Sequence, residues 1–126
     1  MGNHKLFQVN QGAVIKNQEG KILILKHKEK WQLPGGRLEE NETWLQGLER
    51  ELREETGIKD FLVGKILDAR TTDDQNQYII TFLCEIKGSQ EIKLSSEHEE
   101  YAWIDKGDIL KYDFWHPSIV ERILKI

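Results

Sequence analysis

The chain has 126 residues and 14.8 kDa, 38% of them hydrophobic and 32% charged, a composition expected of one globular domain over 1–126 and unlike that of a disordered chain. A formal net charge of −4 and a pI near 5.6 argue against general binding to nucleic acid or to an anionic membrane. No apolar run approaches the roughly 20 residues of a membrane span, and MGNHKLFQVN lacks a signal peptide's apolar core, with Leu6 where a myristoylation signal carries Ser or Thr. The single cysteine, Cys84, can form no internal disulfide and fits a reducing cytoplasm.

In chain order, QVNQGAVIKN and KILILKH read as two strands about the turn 17–20, where Gly20 supplies a positive φ, so a hairpin or near neighbours are expected. KHKEKWQLPGG then breaks the pattern, since Pro34, Gly35 and Gly36 favour an irregular loop whose backbone is open to close approach. A helix follows: Thr43 and Gln46 are spaced as a capping box, with Asn41 as an alternative cap, and Gly57 marks the stop. Leu45, Leu48 and Leu52 give its core-facing stripe. Gly47, costing about 1 kcal/mol against Ala in mid-helix, reads as room for a neighbour such as Gly35 and Gly36, or as a tolerated glycine.

Beyond Gly57, FLVGKILDAR, QYIITFLCEI and a segment near YAWID predict further strands, separated by the polar turns DDQN and KGSQ. Cys84, within IITFLCEI, reads as a core residue rather than a nucleophile. HPSIVERILKI predicts a short helix from Pro117 or Ser118 with Ile119, Val120, Ile123 and Leu124 on its buried side. The result is an α/β chain with a mixed sheet.

The chemistry concentrates in GRLEENETWLQGLERELREETGI, residues 36–58. At about 100° per residue, Glu51, Glu54 and Glu55 stand at i, i+3 and i+4 and crowd carboxylates on one helical face, an arrangement that repels itself unless a cation is bound. Oxygen-only donors favour Mg²⁺, then Mn²⁺ or Ca²⁺, over softer metals. ERELREE alone also fits a solvated face with an Arg50/Glu54 pair. The wider spacing decides against that, because seven fixed residue types at roughly 6% usage coincide by chance less than about once in 10⁸ starts.

This segment resembles the Nudix box, and every defining position is matched: Gly36, Glu42, Arg50, Glu51, Leu52, Glu54, Glu55 and Gly57. The resemblance implies an α/β/α sandwich with a mixed β-sheet, a box loop-helix-loop and a C-terminal helix. It implies Mg²⁺-dependent hydrolysis of a pyrophosphate linkage in a nucleoside diphosphate joined to another moiety, with Mn²⁺ as a substitute. Glu51, Glu54 and Glu55 would hold the ions with the carbonyl of Gly35, and Glu51 or Glu54 would contact the attacking water. Arg50 would orient the cluster by pairing with Glu51 or Glu42. A loop glutamate, Glu97 with Glu100 in reserve, would complete the metal site or act as base, while His98 is a loop histidine or a donor to substrate.

Substrate contacts are expected from Lys28 and Arg37 for phosphates, with Lys26 and Lys30 nearby, and from Tyr78 or Tyr101 for a base, with Trp31 and Phe82 as further aromatics. With Pro34 and Pro117 as the only prolines, the proline signatures of many ADP-ribose and NADH pyrophosphatases are missing, and EHEEYAW is similar to a run in diadenosine polyphosphate hydrolases. Nucleoside triphosphate and dinucleoside polyphosphate therefore stand as equals. The alternatives are an ADP-ribose or nucleotide-sugar pyrophosphatase and a non-catalytic nucleotide sensor. The expected partner is a nucleotide, with neither nucleic acid nor membrane, and relatives suggest a homodimer.

Overall fold

A computed structural model describes residues 2–72 and 76–126. Seven strands form one mixed sheet: β1 (Gln8–Lys16), β2 (Ile22–His27), β3 (Lys30–Gln32), β4 (Gly35–Arg37), β5 (Phe61–Thr72), β6 (Gln77–Ile86) and β7 (Glu100–Ile104). The spatial order is β3-β2-β1-β6-β5, with β4 on β1 and β7 on β2. The central pair, β1 and β6, runs parallel from Gln8↔Gln77 to Lys16↔Glu85, and the other named pairs are antiparallel.

Both faces are covered, which explains why β1 and β2 are apolar at successive positions rather than at alternate ones. Ala13, Ile15, Leu23 and Leu25 face α1 (Trp44–Thr56), whose Leu48 and Leu52 are fully buried against Phe82 and Cys84. Val14, Ile22 and Ile24 face the opposite layer, made by a 3₁₀ segment (Lys106–Lys111) and α2 (Ser118–Leu124) through Ile109, Ile119 and Ile123. The layers form the expected α/β/α sandwich. No helix among the described residues is long and apolar enough to cross a membrane.

The helix signals act as read. Gln46 N donates to Thr43 Oγ1 at 3.2 Å while Gln46 Oε1 accepts from Thr43 N at 2.9 Å, and Gly57 closes the helix at φ 76°. Leu45 departs from the predicted stripe and is 39% exposed, because Trp44 takes the sheet-facing place in the first turn by stacking on Phe82 at 5.2 Å. Leu124, one residue past buried Ile123, likewise turns to solvent. At Gly47 the close neighbours are Leu38 Cδ1 and Glu42 Oε1, at 2.6 and 2.9 Å from a would-be Cβ, rather than Gly35 and Gly36.

KHKEKWQLPGG is more regular than expected. Lys28 and Glu29 both adopt positive φ, 48° and 72°, and close a two-residue hairpin that pairs His27 with Lys30. β4 then pairs with β1 at Gly12↔Gly35. The predicted turn KGSQ is present, with Gly88 at φ 69°. The predicted DDQN turn spans 73–76; 73–75 lie outside the described residues, and Asn76 adopts a positive φ of 52°.

Candidate active site

Helix α1 and strand β4 bring the acidic motif together. Gly35 N donates to Glu55 Oε1 at 2.7 Å, and a Cβ on Gly36 would overlap the Glu51 carboxylate. The glycine pair therefore lets the strand approach the helix closely enough for backbone to meet carboxylate. Gly36→Ala separates this from general packing. The methyl displaces only the flexible end of Glu51, so the fold is expected to survive with a Tm loss of a few degrees at most, whereas misplacing that carboxylate lowers turnover by about 10². Gly35→Ala should instead destabilise the protein, because its Cβ meets the Gln11 backbone at a φ of 154°. Melting curves and kcat for the two variants distinguish these outcomes.

Arg50 is the hub. Nε and Nη2 donate to the two oxygens of Glu42 at 3.0 and 2.8 Å, Nη1 to Glu51 at 2.7 Å and Glu54 at 3.4 Å, and Nη2 also to the Arg37 carbonyl at 3.0 Å. The two pairings left open for Arg50, with Glu51 or with Glu42, are both made. The Arg50 bond holds the Glu42 carboxyl down at about 2, and the same contacts push the guanidinium pKa up. Burial raises Glu51, opposed by Arg50. Glu55, 8% exposed, is pushed up to about 8 by burial, with the Glu51, Glu97 and Glu54 charges adding and the Gly35 N–H opposing.

The three box carboxylates are not equivalent. Glu55 is buried under β4, Glu51 is turned onto Arg50, and Glu54 is 57% exposed. Among the described residues no three acidic, imidazole or thiol groups stand in a ready-made metal cage. The donor set nonetheless fits a hard divalent ion: Glu51, Glu54, Glu55 and Glu97 offer only oxygen, and one guanidinium faces them together with Glu42. Such an ion would draw carboxylates from their present hydrogen bonds.

Glu97 and Glu100 part company. Glu97 lies close enough to Glu55 to raise its pKa, whereas Glu100 is in β7 and pairs with Lys26 at 3.7 Å. His98 is 7% exposed, accepts from Gln32 Nε2 at 2.8 Å and has Ser95 Oγ 3.4 Å from its other ring nitrogen. Cys84 is buried, its thiol pushed up to about 12 by desolvation, as befits a core residue.

A cleft of about 230 Å³ adjoins the motif on the α2 face of the sheet. Gly35 and Gly36 form one wall, Asn10, Ile79, Thr81 and Arg70 the floor, and Phe114, His116 and Ile119 the far side. Arg70 bonds Ser118, and Asp68 receives both Arg70 and Arg122 Nε, at 3.4 and 3.2 Å, so β5 is tied to α2 at the cleft. None of Lys28, Arg37, Tyr78 and Tyr101 lines it. Lys28 sits in the hairpin turn, and the Arg37 side chain is exposed. Tyr78 and Tyr101 share strand parity with Phe82 and Trp103 and so lie on the α1 face. Sequence reasoning missed the cleft residues beyond the glycine pair. Their signal was present in β1 and β6: Asn10, Gly12 and Thr81 are small or polar on the face that carries Val14 and Leu83 further along.

The NUDIX domain profile matches residues 6–123. A MutT-like protein of Streptomyces ambofaciens is 29% identical over 106 residues, 82% of this chain and 68% of that one. The nucleoside triphosphatase NudI of Escherichia coli O17:K52:H18 is 32% identical over 96 residues, 66% of this chain and 67% of that one. The crystal structure of a MutT protein from Methanosarcina mazei Go1 superposes with a TM-score of 0.77 at 27% identity, covering 98% of this chain and 95% of the other.

Proposed function

The chain belongs to the NUDIX family of hydrolases, and on that premise we propose that it cleaves a nucleoside triphosphate to the monophosphate and pyrophosphate, with Mg²⁺ or in its place Mn²⁺ as cofactor. The observation that carries this reading is the Arg50 hub set beside a cleft for one nucleoside. At about 230 Å³ the cleft is below the roughly 300–1,000 Å³ that encloses a drug-sized ligand. At that size we read it as a seat for one nucleoside rather than for both ends of a dinucleotide, which favours the triphosphate.

Glu51, Glu54 and Glu55, with the carbonyl of Gly35, would hold the ion, which when bound neutralises phosphate charge and acidifies water. Arg50 aims Glu51 and Glu54, since all its donor nitrogens are committed to the motif. Glu97 takes the proton from the attacking water: no side chain among the described residues pairs with its carboxylate, whereas Glu51 is held by Arg50 and Glu55 by Gly35. Oxygen of that water forms the new bond to phosphorus, the P–O–P bridge breaks, and pyrophosphate leaves.

The test is pyrophosphate release from the eight canonical ribo- and deoxyribonucleoside triphosphates, with diadenosine tetraphosphate and ADP-ribose alongside, in Mg²⁺, Mn²⁺ or EDTA. Ion-dependent release from at least one triphosphate is expected. Silence from all eight in both metals leaves a nucleotide-binding module instead, and faster turnover of either comparison substrate moves the assignment to its class.

A further inference from the structure

Loop 95–99 carries Glu97 and is clamped to the β2–β3 hairpin by three hydrogen bonds that involve side chains. His27 Nδ1 donates to the Glu97 carbonyl at 2.7 Å, Lys28 N to Glu99 Oε1 at 2.9 Å, and Gln32 Nε2 to His98 Nε2 at 2.8 Å. Glu99 N donates back to the Lys26 carbonyl at 2.9 Å, and Ser95 N reaches the Glu55 carbonyl at 3.3 Å. The Glu97 carboxylate itself has no side-chain partner among the described residues. Its position is therefore set by its backbone, and its backbone by the clamp.

The hairpin is built to hold that shape. Lys28 and Glu29 occupy the left-handed region without being Gly or Asn, a strained choice that persists only where surrounding contacts over-determine it. The Lys28 N–H bond to Glu99 is one such contact. Gln32, at the far end of β3, pairs with Leu25 and so turns its side chain to the α1 face, away from the cleft, where it bonds buried His98. An amide nitrogen can only donate, so His98 Nε2 accepts and the ring is neutral with its proton on Nδ1, beside Ser95 Oγ.

We propose that Gln32 is a positioning residue that fixes Glu97 through His98, so that the place of the loop carboxylate is set by an amide on β3. The amide holds His98, and His98 sets the adjacent Glu97. Loss of the bond is then expressed in kcat with little change in binding. The inference rests on the reading of Glu97 as the proton acceptor.

The experiment is a double-mutant cycle on the best-hydrolysed canonical triphosphate with Mg²⁺. His98→Phe keeps a buried ring and removes the acceptor without touching the cleft; it is expected to lower kcat by about 10–100-fold with KM changed less than about 3-fold. Gln32→Leu should lower kcat equally with KM as little changed, and the double variant should have the kcat of either single one. In a Glu97→Gln background, His98→Phe is expected to cost less than about 2-fold, since the residue it positions is already disabled. Equal losses in both backgrounds overturn the latch while leaving Glu97 as base, because a general packing defect does not depend on residue 97. A Glu97→Gln enzyme with wild-type kcat overturns the assignment of Glu97 and the latch with it.

Discussion

Glu55→Gln is expected to lower turnover by roughly 10³-fold while making the ion-free protein more stable at pH 8. Both effects follow from one buried carboxyl whose pKa is pushed up to about 8, first by burial and then by neighbouring carboxylates. Folding therefore raises the proton affinity of this group above its ordinary value of 4.5. The folded state holds the proton between pH 4.5 and 8 where the unfolded chain has lost it, so this group's contribution is undiminished below 4.5 and declines as pH rises through that window. The decline is on the order of a few kcal/mol. Glutamine keeps an oxygen for the Gly35 N–H, carries no charge, and removes the slope.

Melting temperatures in EDTA at pH 5 and pH 8 measure this directly: the wild type should lose several degrees between them and Glu55→Gln much less. Adding Mg²⁺ at pH 8 should raise the Tm of the wild type, since a ligand of the native state stabilises by mass action, and should leave Glu55→Gln nearly unmoved. Parallel slopes for the two proteins in EDTA would refute the burial argument. A Mg²⁺ response retained in full by the variant would remove Glu55 from the ion site.

The helix that carries these groups was legible because its signals are local. Thr43 and Gln46 are three residues apart, Gly57 closes the last turn, and the carboxylates repeat at helical spacing, so no tertiary knowledge is needed to place them. The short strands β3 and β4 were hidden for the opposite reason. Three residues are too few to show a period, and the turn between β2 and β3 uses Lys28 and Glu29 where a hairpin normally advertises itself with Asn-Gly. The cleft was hidden further still. Asn10 and Thr81 share its floor only because β1 pairs in parallel with β6, a contact between segments far apart in sequence. The aromatic candidates Tyr78 and Tyr101 rest on the stacking capacity of their rings, which says nothing of direction, and strand parity places both on the other face.

Arg50→Met should have the widest consequences of any single change, because it removes charge at near-constant length from a side chain that is 15% exposed and contacts Glu42, Glu51, Glu54, Glu39 and the Arg37 carbonyl. Three effects combine. Glu51, 16% exposed, loses its partner and remains desolvated beside Glu54 and Glu39, an uncompensated carboxylate of the kind that destabilises by roughly 3 kcal/mol. The turn 37–42 loses the bonds that join it to the helix through Arg37 and Glu42. Turnover falls by more than about 10³, since the aim of Glu51 and Glu54 depends on the same guanidinium. Arg50→Lys tests the geometry apart from the charge. An ammonium cannot make the two-oxygen bond to Glu42 and reach Glu51 and Arg37 together, so Lys is expected to recover part of the stability and little of the turnover. Urea unfolding and single-turnover kinetics on both variants provide the comparison. Recovery of most of the turnover by Lys would mean that Arg50 serves as a counter-charge alone, and the oriented network around it would have to be abandoned as the reason this helix is active.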